Sequence, residues 1–248
     1  MKRRAFLLAP LGMYAQNARP RLAIQWISGS IPSEFAREAM VFSRAYTCCP
    51  DRERAQWALE HGRFPHSEQP TDVSLWNYFE LAEPESADVV VMTAHSGDGK
   101  DTPRERSVHV PLAIRWPGKV AARTVNELSS HADIFPSLLA LAGVAAPSGL
   151  HGRDLRGAVP DSVYIEGGLG TPGEWRALVR GFDKLIWNLE EEILGLFNVI
   201  EDPNEQHDLR EEREGRLMRD SMWALARQWM DRVGDGRDEH GLRTRRPA

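Results

Sequence analysis

Two short stretches hold the residues able to do chemistry. In "CCPDR", Cys48, Pro50 and Arg52 stand at alternate positions, which puts a thiol, a conformationally fixed turn residue and a guanidinium in one loop, the material for a nucleophile beside a cation. In "TAHSGDGK", His95, Asp98 and Lys100 occupy a glycine-bearing loop that ends an apolar run. His95 and Asp98 are metal-ligand types, with the imidazole better suited to zinc or another borderline metal than to calcium. Lys100 would offer its ammonium to an anion. The plain alternative for this loop is a solvated turn, hydrogen-bonded to itself.

Such residues need elements to aim them. "RLAIQWIS" (21–28) reads as a short buried strand, and "IPSEFAREAMVFSRAY" after it has helical spacing through Phe35, Met40 and Phe42. "ADVVVMTAH" (87–95) is a continuous apolar run, as expected of a central parallel strand whose carboxyl end opens into a site. "VPLAIRWPG" predicts the next strand, and "SSHADIFPSLLALAG" a helix with Asp133 as N-cap, Pro136 in the first turn and Gly143 as the stop. Strand and helix alternate, so the first part of the chain is predicted α/β. Beyond Val159, "WRALVRG", "DKLIWNLE" and "ILGLFNVIE" predict an antiparallel meander. A final helix over 213–233 presents Met218, Met222, Leu225, Trp229 and Val233 as a packing stripe.

The chain of 248 residues is 42% hydrophobic and 27% charged, enough for one sizeable core or one domain with an appendage. Its formal net charge of −5 gives no general attraction to nucleic acid or anionic lipid. The opening "MKRRAFLLAPLGMYAQNARP" has the layout of an export signal, with a twin-arginine-like pair at Arg3-Arg4, and its apolar run is too short to span a bilayer. Export to the periplasm or the exterior is expected, with no transmembrane segment. The two cysteines, Cys48 and Cys49, are adjacent and poorly placed to bridge each other. The expected organisation is an export signal over 1–18, an α/β domain over 19–158, an α+β subdomain over 159–236 and a polar tail over 237–248.

Several of these blocks in order resemble the sulfatase family of the alkaline-phosphatase superfamily: "RPRLAIQWIS", "FSRAYTCCP" with "GRFPH", "VHVPLAIRWPGKV", "ELSSHADIFPSLLALAGVAAPSGLHGRDL" and "WRALVRGFDKLIWNLEEEILGLFNVIEDPNEQHDLREE". The resemblance implies a reduced alkaline-phosphatase-like sheet with flanking helices, followed by a small antiparallel sheet and helix. It also implies sulfate-ester hydrolysis, by a formylglycine made from cysteine or serine beside a calcium ion held by acidic residues. Concentrated positive charge from the metal, arginine, lysine and histidine would stabilise the transition state.

Carried over position by position, the chemistry is depleted. The first metal-binding acid pair falls on Ser28 and Gly29, and the second metal block places His95 and Ser96 where the family has Asp and then His or Asn. Lys100 matches a sulfate-contacting lysine. The nucleophile block aligns in two registers. In one, Cys48 is the formylglycine precursor, Pro50 the proline and Arg52 the arginine; in the other, held by the flanks "AYTCCP" and "GRFPH", Arg52 itself takes the nucleophile position. The flank register is preferred because the first lengthens the run from Arg52 to Gly62 and shortens the run from Phe42 by the same amount. Only 27 residues separate Pro65 from Thr93, where the family has a long stretch bearing further contacts, and Trp76, Tyr78 and Phe79 within it are assigned to packing. The expectation is therefore a degenerate sulfatase-like protein with little or no activity, holding neither calcium nor formylglycine. The alternatives are an active hydrolase using Cys48, and a non-catalytic binder of a sulfated or anionic small molecule or glycan through Lys100.

Overall fold

The computed structural model describes residues 19–67, 73–157 and 161–235. The expected export signal and polar tail lie outside them. The elements are β1 (Arg21–Trp26), α1 (Ser33–Ala36), β2 (Met40–Tyr46), α2 (Arg52–His61), β3 (Glu80–Leu81), β4 (Val89–Thr93), α3 (Glu105–Val108), β5 (His109–Arg115), β6 (Arg123–Val125), β7 (Ser129–Ser130), α4 (Ile134–Ala142), β8 (Ser162–Gly167), β9 (Trp175–Arg180), β10 (Asp183–Asn188), β11 (Ile193–Asn198) and α5 (Arg213–Val233).

The first sheet runs β3-β1-β4-β5-β2-β6, with β7 also paired to β2. All five residues of β4 are buried, as its uninterrupted apolar run requires. β4 is parallel to β1, with Leu22 opposite Val89 and Trp26 opposite Thr93, and antiparallel to β5. β5 is also antiparallel to β2, so the sheet is mixed rather than wholly parallel. α2 packs against α4 and the turn before it, where Leu59, Ile134, Phe135 and Leu138 join Leu22, Val91, Leu112 and Ile114 in one core.

The helical spacing expected through Phe35, Met40 and Phe42 does not hold. The helix is one turn, Ser33–Ala36, and Met40–Tyr46 is strand β2, because pairing with β5 on one side and with β6 and β7 on the other satisfies its backbone. Asp133 is the N-cap residue of α4 as expected, but its side chain makes no capping bond to that helix. Its carboxylate accepts from Ser130 N (2.9 Å), closing a capping box on the 3₁₀ turn before α4, and from Arg153 N (2.8 Å). Gly143 ends α4 at φ 77° as predicted.

The second sheet is the expected meander with one strand more, in the order β11-β10-β9-β8. β8, "SVYIEG", is buried throughout. α5 covers this sheet: Met222, Ala226, Trp229, Met230 and Val233 pack with Tyr164, Leu178, Leu185, Trp187 and Leu196. Met218 sits at the exposed end of the stripe. The same core takes in Cys48, Ala58, Phe64 and Ala132 from the first sheet's side. No helix among the described residues is long and apolar enough to cross a membrane.

Candidate functional site

Parallel pairing makes β1 and β4 end together, and the ladder closes with Ile27 N donating to Thr93 O at 2.8 Å. The Ser28-Gly29 loop and the His95–Lys100 loop therefore leave the same carboxyl edge of the sheet, where open α/β sheets place ligands. There the indole of Trp26 stacks on His95, with centroids 3.7 Å apart and planes 11° apart, and meets His131 edge-on at 6.0 Å. Thr93 Oγ1 donates to Pro111 O (2.8 Å), so its oxygen accepts from His131 Nε2 (3.0 Å). This assigns the Nε2–H tautomer and leaves the buried Nδ1 without a hydrogen-bond partner. Burial, with His95 nearby, pushes His131 down to about 3, so it is neutral. Partial burial and the charge of Arg52 also hold His95 below its ordinary value.

Arg52 is the first residue of α2, exposed, at the end where the helix dipole is positive. Asp51 caps that end by accepting from Arg54 N at 3.0 Å. Cys48 is elsewhere. It is fully buried, its Sγ 3.1 Å from Ser130 Oγ and accepting from Ala132 N at 3.2 Å. Burial pushes its thiol up to about 12, so it is protonated and packed in the core between the sheets.

The loop after β4 is largely bonded to itself. Gly99 N donates to Ser96 Oγ (2.7 Å) and Lys100 N to Asp98 Oδ1 (3.1 Å). The carboxylate of Asp98 is ion-paired with Arg106 at 3.1 Å. A side chain at Gly97 would collide with the carbonyls of Arg106 and His109, so this glycine is needed for the loop to lie against α3. Lys100, Ser28 and Gly29 are exposed. Trp26, Thr93 and His131 complete the edge and are not among the sequence-derived candidates; the available signal was an aromatic residue and a hydroxyl ending paired buried strands.

A second cluster lies inside the protein. His66 Nδ1 bonds Glu166 Oε2 at 2.6 Å, and its Nε2 lies 3.1 Å from Val233 O. Arg176 donates to both oxygens of Asp235, at 2.6 and 2.9 Å, and to Glu174 Oε1 at 2.8 Å. Tyr164 donates to Asp235 as well. Among the described residues, His66, Glu166 and Asp235 alone form a group of three with metal-ligand atoms within 4.8 Å of one another. The guanidinium that already occupies Asp235 and stands 3.8 Å from Glu166 makes this a buried ionic network rather than an open coordination site.

Residues 99–164 match the family model described as N-sulphoglucosamine sulphohydrolase, C-terminal. The Drosophila melanogaster extracellular sulfatase SULF-1 homolog is 37% identical over 79 residues, which cover 27% of this chain and 7% of that protein. Arylsulfatase A of Homo sapiens is 43% identical over 58 residues, covering 23% and 11%. The chain thus spans about a tenth of the length of the curated relatives it matches. Among solved structures, one from work on glycosaminoglycan metabolism by Bacteroides thetaiotaomicron aligns with TM-score 0.65 at 11% identity, covering 88% of this chain and 97% of that one. Another, in complex with its substrate D-glucosamine-2-N,6-O-disulfate, aligns with TM-score 0.54 at 21% identity, covering 65% and 37%. These structural likenesses are of fold.

Proposed function

We propose that the chain, which matches a sulfatase family model over residues 99–164 and resembles sulfatases over about a quarter of its length, holds a sulfated glycan or another anionic small molecule at the carboxyl edge of its first sheet without hydrolysing it. The observation that carries this reading is the exchange of places between Cys48 and Arg52. The thiol that fits the letters of the motif is protonated and packed in the core. The residue heading α2 beside His95 is a guanidinium, which binds an oxyanion but cannot become an aldehyde hydrate.

The donor set supports the same reading. A hard calcium ion takes six to eight oxygen ligands, whereas this edge presents Ser28, Gly29, an imidazole stacked on Trp26 and a carboxylate paired with Arg106. These residues do not fit calcium. What remains suits recognition: Arg52 and Lys100 for the anion, with the Trp26–His95 stack beside them. A sulfated amino sugar, of the kind named for one structural neighbour, is the ligand class to try first. The basic-then-apolar opening of the chain supports export.

Expression with a formylglycine-generating enzyme tests the catalytic half. The Cys48 peptide is expected to be unmodified by mass spectrometry, with no turnover of an aryl sulfate in calcium. Conversion with calcium-dependent turnover would overturn the reading. Binding of sulfated oligosaccharides should weaken with salt and in Lys100→Ala, and unchanged affinity in that variant would remove Lys100 from the site.

A further inference from the structure

At the other end of α2, three chain segments bring cations together away from the carboxyl edge. Gly62 O accepts from His151 N (2.8 Å) and Gly152 N (3.1 Å), and Phe64 N donates to His151 Nδ1 (3.1 Å), which ties the segment of Arg63 to that of His151 and brings the Arg63 charge to bear on the imidazole. The third segment is the last turn of α5. The guanidinium of Arg232 lies 3.5 Å from the centroid of the Trp229 ring, and that of Arg153 lies 5.2 Å from the same ring. Trp229 is itself fixed by donating Nε1–H to Ser162 Oγ at 2.9 Å.

These cations have Asp133 and Asp161 near enough to act on Arg232 but no carboxylate of the described residues in direct contact with a guanidinium. Among the described residues, none of Arg63, Arg153 and Arg232 forms an ion pair within 4.0 Å. Arg63 Nε and Arg153 Nε are buried with no hydrogen-bond partner, an arrangement that costs free energy unless something accepts from them. The carboxylate of the buried Asp133 already accepts from Ser130 N and Arg153 N. The surroundings report the excess. Burial and then the charge of Arg153 pull Arg232 down to about 10 against the opposing charges of Asp133 and Asp161; burial and then His66, Arg63 and Arg232 pull His151 down to about 4.

We propose that Arg153 and Arg232, which face Trp229, and Arg63, on the segment bonded to His151, form a second anion site that takes a tetrahedral oxyanion, sulfate or phosphate. Guanidinium planes offer such an anion forked, charge-assisted hydrogen bonds, and two unused buried N–H donors are present for it. The indole holds Arg153 and Arg232 by cation–π contact, which fixes two of the three guanidiniums in advance. The site shares no residue with the carboxyl edge and does not depend on what that edge binds.

The test uses the full chain carrying Arg52→Ala and Lys100→Ala, which silence the carboxyl edge. Sodium sulfate and sodium phosphate are titrated calorimetrically at constant ionic strength, against sodium chloride. Melting temperature alone would mislead, because sulfate stabilises proteins by exclusion. One saturable sulfate or phosphate site is expected, weakened about tenfold or more by Arg63→Gln and by Arg232→Gln, the worth of one charge-assisted bond. Arg232 reaches solvent from the last turn of α5 although its guanidinium is partly covered by Trp229, and circular dichroism checks that its variant keeps the fold. Bound anion should also move the His151 imidazole titration, followed by NMR, up toward its ordinary value, which arginines serving only as packing would not do. Glucosamine 6-sulfate run beside inorganic sulfate separates the sources: tighter binding of the ester points to an attached sulfate group, and equal or weaker binding to a free anion. Heats no different from chloride, or affinity unchanged in both arginine variants, would overturn the proposal.

Discussion

Replacing Asp235 by alanine should unfasten α5 from the body of the protein. The carboxylate, just past the end of the helix, accepts from Arg176 at 2.6 and 2.9 Å and from the Tyr164 hydroxyl. Burial works against its charge, but the bonds and charge of Arg176 outweigh this and hold it well below the usual carboxylate range. Its removal leaves a buried guanidinium with Glu174 at 2.8 Å, the Trp175 carbonyl at 3.0 Å and Glu166 at 3.8 Å. Two charge-assisted bonds at about 1.5–3 kcal/mol each bound the loss at about 3–6 kcal/mol, and the remaining carboxylates bring it to the 3–5 kcal/mol or so typical of a broken buried pair. Against a total stability of roughly 5–15 kcal/mol, that is a large part. Urea unfolding followed by circular dichroism measures it. Tyr164→Phe, which leaves Arg176 and Asp235 paired, should cost only about 1 kcal/mol, and Asp235→Ala with Arg176→Met should cost less than the sum of the two single changes. A loss below about 1 kcal/mol for Asp235→Ala, or strict additivity in that cycle, would refute the view that this network ties the helix down.

Stability should peak near neutral pH, for reasons that oppose one another. His131 and His151, held at about 3 and about 4, bind protons only on unfolding, so stability falls as pH drops below 6.5. Asp133, pushed up to about 6 by burial, binds its proton in the fold between 3.8 and 6 and opposes them, leaving a net uptake of about one proton on unfolding near pH 5. Burial works against the charge of His66, but Glu166 outweighs it and holds the imidazole above its ordinary value; its contribution is full below pH 6.5 and is lost as pH rises through the raised value. Urea midpoints across pH 4–9 check the peak, and His66→Gln should flatten its alkaline side. Both cysteines are fully buried and should resist iodoacetamide in the folded protein, then label on unfolding, as read by mass spectrometry. Gly152→Ala puts a methyl group into the Ala132 carbonyl and should lower stability by about 1–3 kcal/mol or more, seen as a lower urea midpoint.

The parts of the fold that sequence patterns revealed are those whose local and tertiary demands agree. β4 is an apolar run because both its neighbours and both its faces are protein. The α5 stripe repeats at helical spacing because one face covers a sheet. β2 is where they disagree: Phe35, Met40 and Phe42 suit a helix by spacing, yet β5 and β6 need a strand between them, and pairing overrides propensity. β8 gives a weaker signal, since "SVYIEG" carries a glutamate, Glu166, that reads as surface until its buried partners His66 and Arg176 are seen.

The same limit governs the site. That the loops after β1 and β4 leave one edge followed from order and spacing, because parallel strands deliver their loops together, whereas Trp26, Thr93 and His131 beside them did not. Where Cys48 points did not, since that depends on Ser130 and Ala132, more than eighty residues away in the chain. A motif written in one segment specifies composition, while the partners that bury or expose each side chain come from other segments. The buried network makes this sharper. His66, Glu166, Arg176 and Asp235 are scattered over four segments and form no local pattern, yet they close one junction among the loop after α2, the second sheet and the end of α5. Within that junction the His66 ring lies 6.1 Å from that of His151, and His66 is among the charges that pull down His151. An anion held by Arg63, Arg153 and Arg232 would therefore act on the same joint that Asp235 fastens.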